Sequence, residues 1–343
     1  MAWSLDPKTQ DILDKAAGRG EITHPEAVHL LTLPLESREA AALMRAARDL
    51  SLADFGKKGE RHLHIGLNTA PCPHNCKFCS LTREAGIFKE NKEFPEEQVL
   101  AWAVAAEREG ADALNLMTTG DYPFSRLLAL GRLLSSRVET PLVANTRDIT
   151  HKEGEALLAA GFSGFYHAVR LGEGRDTPFP ESRRLKTIQV IRDVGLLWMT
   201  CVEPVGPEHS SAEIARLMLL SRKHGAVYSG VMRRINFPGS PLAVHGMISE
   251  LSMARMVAVS RLVMGDTPRA HCTHEPNAVS LLAGANLFFP EKGSSPRDRE
   301  AETGRGRGRD LTACGEILRE MDLDPDLASN VFPRNHRART RAV

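Results

Sequence analysis

The strongest constraint on the fold is an alternation of strand-like and helix-like segments that begins near residue 61. Short apolar runs with strand character are separated by longer stretches in which apolar residues recur at helical spacing. The candidate strands are residues 62–67, 113–118, 142–146, 164–170, 196–205, 228–236, 269–274 and 286–289. This alternation predicts a parallel sheet whose strands are joined by crossover helices.

Eight such strands predict an α/β fold, a (β/α)8 barrel of the TIM type, over residues 59–290. The alternative is an open doubly wound sheet, but no phosphate-binding GxGxxG motif follows the first strand. Residues 1–58 predict an N-terminal helical segment, because their apolar residues recur at helical spacing. Residues 291–343 predict a C-terminal extension with a loop, a helix and a basic tail that frays at residues 334–341. Functional side chains are expected at the carboxyl ends of the barrel strands.

Composition narrows the possible partners. Apolar residues make up 42% of the 343 residues, which is enough for a substantial core. A formal net charge of +1 argues against nucleic acid or an anionic membrane as the main partner. No apolar run approaches the ~20 residues that span a bilayer, and the first residues form neither a basic nor an apolar leader. The chain is therefore predicted to be cytoplasmic.

Three of the six cysteines lie in one short loop directly after the first predicted strand. Cys72, Cys76 and Cys79 follow the pattern C-x3-C-x2-C. Thiolates are soft ligands that suit iron–sulfur clusters and zinc. Three cysteines from one loop can hold an iron–sulfur cluster and leave one metal corner open. The alternatives are a zinc site completed by His74, or buried thiols that bind no metal.

The cysteine spacing resembles the signature of the radical S-adenosylmethionine (SAM) superfamily, and Phe78 before the third cysteine also fits it. The resemblance implies a 4Fe-4S cluster on Cys72, Cys76 and Cys79, with SAM bound to the fourth iron. From residue 27 to 323 the layout resembles the biotin-synthase-like branch. That branch includes biotin synthase, a two-protein lipoyl synthase, methylornithine synthase and hydrogenase-cofactor maturases. Its members use SAM cleavage to make a 5′-deoxyadenosyl radical that abstracts hydrogen from an unactivated carbon.

The resemblance also implies roles for residues at the ends of two later strands. Thr119, Gly120 and Asp121 resemble the glycine-containing segment that contacts the SAM amino group. Glu173 follows the fourth strand, where relatives place an acidic residue on the SAM ribose. A carboxylate suits this position because it accepts hydrogen bonds from two hydroxyl groups.

Two further contacts with SAM are implied. Either Arg183 or Arg184 is expected to bind the SAM carboxylate, because a guanidinium can donate two parallel hydrogen bonds. Glu203, at the end of the fifth strand, resembles the segment beside the adenine. The ordinary alternative for each of these charged residues is a surface position or a structural salt bridge.

The other three cysteines, Cys201, Cys272 and Cys314, raise the question of a second cluster. Three is the number of cysteines that an auxiliary iron–sulfur cluster needs, with His274 as a candidate fourth ligand. In biotin and lipoyl synthases such a cluster donates sulfur, so the resemblance implies that role here. Alternatively, each is a small buried hydrophobic residue.

The chain departs from biotin synthases at the auxiliary ligands. Asn115 and Ala144 stand where two cysteines would fall, His274 occupies an arginine position, and Cys201 is displaced by two residues. Residues 167–171 replace the typical Asn-His-Asn-Leu-Asp segment. A relocated second cluster is what the resemblance implies for a two-protein lipoyl synthase.

The predicted function is therefore sulfur insertion at an unactivated C–H bond, on an octanoyl chain that becomes the lipoyl cofactor. The first alternative is biotin synthase with an atypical auxiliary cluster. The second is a sulfur-free rearrangement or a cofactor-maturase step, and a third is a non-catalytic iron–sulfur or zinc protein. The expected partners are a small-molecule or acyl-carrier-bound substrate and an electron donor such as ferredoxin or flavodoxin. A two-protein lipoyl synthase would also need a companion radical SAM protein.

Overall fold

The computed structural model describes residues 4–69 and 71–333, so the predicted basic tail lies outside the described residues. Three helices come first: α1 (Pro7–Ala17), α2 (His24–Leu31) and α3 (Arg38–Phe55). Polar side chains fix where they begin. The Asp6 carboxylate accepts a hydrogen bond from Thr9 N, and the Ser37 hydroxyl accepts one from Ala40 N. Such caps satisfy amide groups that have no partner within the helix.

A strand and helix alternation follows, as predicted. The strands are β1 (Glu60–Gly66), β2 (Ala113–Met117), β3 (Leu142–Asn145), β4 (Phe162–Tyr166), β5 (Leu197–Met199), β6 (Val202–Val205), β7 (Tyr228–Arg233), β8 (Ala270–Thr273), β9 (Leu287–Phe288) and β10 (Glu291–Gly293). The helices are α4 (Glu96–Arg108), α5 (Phe124–Ser135), α6 (His151–Ala159), α7 (Glu181–Asp193), α8 (Ser211–Lys223), α9 (Glu250–Met264), α10 (Ala278–Leu282) and α11 (Leu311–Glu320). No helix in residues 4–69 or 71–333 is both long and apolar enough to cross a membrane.

The sheet is parallel and closes on itself. From β1 to β5 and from β7 to β9 each strand pairs with the next along the chain, and β1 pairs on its other side with β9 and β10. The short strands β5 and β6 together take the fifth barrel position, because both pair with β7. Likewise β9 and β10 together take the eighth. This is the predicted (β/α)8 barrel.

Alternate residues of the strands face two different apolar regions. On β1, Leu63 and Ile65 belong to the large core between the barrel and its helices. His62 and His64 point the other way, where their rings contact Phe289 inside the barrel. The period of two along a strand produces this division. It places polar and aromatic β1 side chains in the barrel lumen.

Two features of the sheet differ from the predicted segments. The stretch 196–205 was predicted as one strand, but Thr200 and Cys201 interrupt it between β5 and β6. The predicted C-terminal extension begins with β10, which pairs with β1 and so extends the sheet past residue 290. The extension therefore supplies part of the barrel wall.

Candidate active site

A cavity of about 170 Å³ lies at the carboxyl end of the barrel strands. It brings together residues from many strand ends, including Cys72, Cys76, Cys79, Thr119, Gly120, Arg170, Arg184 and Glu203. Its wall also includes Met232, Arg233, Arg234 and Arg297. Most of the residues predicted to bind the cluster and SAM therefore meet at one place.

The cysteine loop is held by hydrogen bonds to three parts of the chain. Cys72 N donates to Leu81 O within the loop (2.8 Å), and Lys77 N donates to Asp176 O after β4 (2.9 Å). Ser80 N donates to Pro296 O in the C-terminal segment (2.9 Å). Asn75 adopts a positive φ of 49°, a backbone conformation that asparagine tolerates better than most residues. These contacts shape the turn that directs three cysteines toward one cavity.

The thiol groups fit a soft, positively charged metal centre. None of the six cysteines forms a disulfide, and all three loop cysteines line the cavity. Burial raises the pKa of Cys76 and Cys79 above the ordinary value, so these thiols need a cationic partner to become thiolates. Cys72, Cys76, Cys79 and His74 include no three ligand atoms within 4.8 Å of one another. This spread does not match the tight tetrahedron of a zinc ion, whereas a cluster is larger than one ion.

The segment after β2 is fixed by the residue that precedes the cysteine loop. Asn68 Nδ2 donates to Thr119 Oγ1 (2.8 Å), and Thr119 N donates to Asn68 Oδ1 (3.0 Å). Thr119 Oγ1 then donates to the exposed Asp121 carboxylate (2.7 Å). Thr119 and Gly120 line the cavity, whereas Asp121 is not part of its wall. A Cβ atom on Gly120 would lie 2.1 Å from the His74 ring, so the segment packs tightly on the loop.

The structure distinguishes the two candidate arginines on α7. Arg184 lines the cavity, its side chain is 5% exposed, and its guanidinium lies 4.1 Å from the Phe179 ring centre. Arg183 is 53% exposed at its side chain and does not line the cavity. Glu173 does not line it either; its Oε1 accepts a hydrogen bond from Arg184 Nε (2.9 Å). Glu173 thus orients Arg184 here, and its contact with the SAM ribose stays a prediction.

Among the described residues of the cavity wall, Glu203 is the one acidic residue. Two residues hold it, one from β4 and one from the turn after β4. Tyr166 Oη donates to Glu203 Oε2 (2.6 Å), and Arg170 Nε lies 3.2 Å from Glu203 Oε1. Burial opposes the charge on Arg170, but Glu203 and Glu173 outweigh burial and raise the pKa of this guanidinium. Arg170 also lies 6.0 Å from the Phe78 ring centre, so it links the cysteine loop to Glu203.

The remaining cysteines do not share one site. Cys201 and Cys272 both lie inside the barrel, with their sulfur atoms 3.1 Å apart. Cys314 lies on α11 in the core outside the barrel. The predicted three-cysteine set is therefore wrong in including Cys314, because α11 packs on the outer face of β1. An auxiliary cluster stays a prediction, with Cys201 and Cys272 as the cysteines inside the barrel.

His274, the predicted fourth ligand, lies beside other side chains than the cysteines. Its ring nitrogen groups with His64 and Glu291, and the three ligand atoms all lie within 4.8 Å of one another. Burial, with a smaller effect of the Arg297 charge, lowers the pKa of His64 to about 3 and that of His274 well below its ordinary value. These side chains form a polar cluster in the lumen that the cysteines do not join.

Several cavity and lumen residues were not predicted from the sequence. They are His64, Tyr166, Arg170, Arg233, Arg234, Glu291 and Arg297. His64 could have been recognised from the sequence, because His62 and His64 lie two residues apart on a buried strand and so face the same side of it. Glu291 and Arg297 carry no such signal, since they follow the last recognisable strand.

Curated proteins similar in sequence are biotin synthases. That of Methylobacterium nodulans is 26% identical over 268 residues, which cover 72% of this chain and 80% of the relative. That of Carboxydothermus hydrogenoformans is 24% identical over 322 residues, which cover 88% of this chain and 96% of the relative. No protein-family model matches the chain.

Solved structures with the same fold include methylornithine synthase and a hydrogenase maturase. Methylornithine synthase (PylB) superposes with a TM-score of 0.76 at 17% identity, covering 92% of this chain and 97% of that one. The [FeFe]-hydrogenase maturase HydG superposes with a TM-score of 0.76 at 15% identity, covering 93% and 75% of the two chains. The barrel, the cysteine loop at its carboxyl end and the biotin synthase relatives agree with one another. The similarity to biotin synthases therefore indicates a member of the radical SAM superfamily that resembles the biotin-synthase-like branch, and the solved structures show that the barrel fold is shared.

Proposed function

We propose that this enzyme abstracts a hydrogen atom from an unactivated carbon of a small, carboxylate-bearing substrate held in the barrel lumen. The observation that carries the proposal is the shared cavity, in which the three loop cysteines face six arginines and one glutamate. When bound, the 4Fe-4S cluster and SAM supply the 5′-deoxyadenosyl radical. The chain's own residues hold these groups and orient the substrate.

On the SAM side, we assign each role to a residue in the wall. Cys72, Cys76 and Cys79 hold the cluster, and Arg184 is positioned to bind the SAM carboxylate. Arg184 is suited to this because Phe179 and Glu173 fix its guanidinium. The backbone around Gly120 lies against the cysteine loop, where it can accept the SAM amino group.

On the substrate side, positive charge dominates. Arg233, Arg234 and Arg297 line the cavity, and each forms an ion pair with a glutamate outside the wall. Arg233 and Arg234 also donate to the backbone oxygens of Ile248 and Gly246, so their guanidiniums are fixed in the wall. A cationic wall attracts an anion, and a planar guanidinium matches a carboxylate. The substrate class that best suits the lumen is thus a small carboxylate.

A second candidate is the sulfur insertion that the sequence predicts, of lipoyl synthase type or as an atypical biotin synthase. The Cys201 and Cys272 pair favours it, because two thiols in the lumen could hold a sulfur-bearing group. The names of the curated relatives point in the same direction. The position of Cys314 outside the barrel favours the sulfur-free candidate, because the third cysteine is missing from the lumen.

Substrates labelled with deuterium test the proposal and separate the two candidates. The reconstituted enzyme is given SAM, dithionite and deuterated candidates, including an octanoyl-bearing carrier, desthiobiotin and small amino acids. We expect deuterium to appear in 5′-deoxyadenosine with the true substrate. Two results together would establish sulfur insertion. The parent enzyme forms a product that has gained sulfur, and the Cys72/Cys76/Cys79→Ala variant retains acid-labile sulfide. SAM cleavage without label transfer from any carboxylate would contradict the proposed substrate class.

Arg184→Gln is expected to weaken SAM binding by about tenfold or more, because a charge-assisted hydrogen bond contributes about 1.5–3 kcal/mol. Arg183→Gln is the matched control, since the Arg183 side chain is 53% exposed and is not part of the cavity wall. Equilibrium dialysis of reconstituted protein with labelled SAM gives both dissociation constants, and circular dichroism checks that each variant is folded. Equal losses in the two variants would remove Arg184 from the SAM site.

A further inference from the structure

The polar cluster in the lumen joins three distant parts of the chain. His64 lies on β1, His274 follows β8, and Glu291 begins β10. Because β10 pairs with β1, Glu291 stands in register with His64 at the seam where the barrel closes. Their ligand atoms and that of His274 all lie within 4.8 Å of one another. Among the described residues, no other three His, Cys, Asp or Glu side chains come this close.

Burial leaves these histidines short of hydrogen-bond partners. His64, His274 and Glu291 are 4%, 6% and 8% exposed. His64 Nε2 and His274 Nδ1 are both buried without a partner among the described residues. An unpaired buried polar atom carries a desolvation cost of roughly 1–3 kcal/mol. Two such nitrogens beside one carboxylate therefore point to a missing ligand.

The carboxylate is already oriented. Ser295 Oγ and Arg297 Nη2 both donate to Glu291 Oε1, at 3.3 Å and 2.5 Å. Both bonds go to one oxygen, so Oε2 remains available to a cation. Ligands in metal sites are commonly fixed by a second layer of hydrogen bonds of this kind.

The histidine rings are also fixed. Phe289 packs against both, with ring centres 4.6 Å from His64 and 4.7 Å from His274. The two imidazoles meet edge to face, with their centres 5.0 Å apart. This packing holds two neutral nitrogen donors near one another without using either as a hydrogen-bond partner of the other.

We propose that His64, His274 and Glu291 bind one divalent transition-metal ion inside the barrel, separate from the cluster on the loop cysteines. Two imidazoles and one carboxylate form a donor set that proteins use for Fe²⁺ and for Zn²⁺, with coordination positions left open. One ion bound by all three side chains would give the two nitrogens without a partner and the Glu291 Oε2 a shared partner.

The ion would lie next to the cavity, because Arg297 both lines the cavity and binds Glu291. Its open positions can accept a carboxylate or hydroxyl oxygen of the substrate. The ion would then orient the substrate for hydrogen abstraction. This role rests on the proposed function, whereas the metal site itself does not.

Cobalt titration of the Cys72/Cys76/Cys79→Ala variant tests the site without the cluster. We expect one Co²⁺ per chain, with visible absorption bands of nitrogen and oxygen ligation and no near-ultraviolet band from thiolate ligation. His274→Gln and His64→Gln in this background should weaken Co²⁺ binding by more than the 10–100-fold that loss of a second-layer partner costs. His62→Gln is the matched control, because His62 also faces the lumen but its Nε2 already contacts Glu60 at 3.2 Å.

Three outcomes would overturn the metal site. The first is that the folded Cys72/Cys76/Cys79→Ala variant binds no cobalt. The second is a thiolate absorption band that disappears with Cys272→Ala, and the third is cobalt binding that survives both histidine substitutions. Circular dichroism and thermal unfolding establish that each variant is folded before titration. SAM cleavage plays no part in this measurement, so the metal site and the proposed function can fail independently.

Discussion

Replacing Cys72, Cys76 and Cys79 together with alanine is expected to reduce SAM cleavage to the level seen without enzyme. The three thiols are the soft ligands in the cavity wall, and burial disfavours the ionised form of Cys76 and Cys79 unless a positive centre compensates. Without them the cavity keeps its arginines but has no means of binding a cluster. The measurement is 5′-deoxyadenosine formation under dithionite after anaerobic reconstitution.

Cys314→Ala provides the matched control for this triple variant. Cys314 is as fully buried as any cysteine of the chain, but it lies in the outer core on α11. Its loss removes a small apolar group, so SAM cleavage should continue. If the triple variant still forms 5′-deoxyadenosine, these cysteines do not hold the SAM-cleaving cluster.

The largest expected effect on stability comes from Gly66→Ala at the end of β1. A Cβ atom there would lie 1.9 Å from Ser294 O, which is backbone and cannot rotate away. Gly66 pairs in register with Gly293, whose own Cβ would lie 2.1 Å from Gly66 O. Overpacking in a closed core typically costs 1–3 kcal/mol, and separating two strands adds lost hydrogen bonds. We expect a loss of about 3 kcal/mol or more in the free energy of unfolding.

Urea unfolding followed by circular dichroism measures this loss, with Gly18→Ala as the control. A Cβ on Gly18 would have Asp14 O as its nearest neighbour at 3.4 Å, an ordinary contact. Its φ of −77° is open to any residue. The control should change stability by about 1 kcal/mol or less. A Gly66→Ala protein as stable as the control would mean that β1 and β10 can move apart at little cost in free energy.

The barrel could be predicted from the sequence because each strand and helix is marked by local periodicity. The exceptions have local causes. The fifth strand is interrupted at Thr200 and Cys201, and its pairing with β7 shifts register between Val202 and Val205. The strand β10 has three residues and includes a glycine with a φ of 70°, so apolar alternation cannot reveal it.

The candidate site was predictable where its ligands are neighbours in the sequence. Cys72, Cys76 and Cys79 lie in one loop, so their spacing alone predicts that they share a metal centre. His64 and Glu291 meet only because the barrel closes, and closure is a property of the whole sheet. The choice between Arg183 and Arg184 depends on which side of α7 faces the cavity, and that became clear from the structure.

The cysteine loop near the start of the barrel is anchored by residues near its end. Ser80 N donates to Pro296 O, and Ser294 Oγ donates to Asn68 O just before the loop. During synthesis on the ribosome, these anchors cannot form until the chain has been made through residue 296. Contacts so distant in sequence also form slowly, because a long loop must close first. The loop thus reaches its final shape late in folding, and stable insertion of a cluster belongs after translation of the barrel rather than during it.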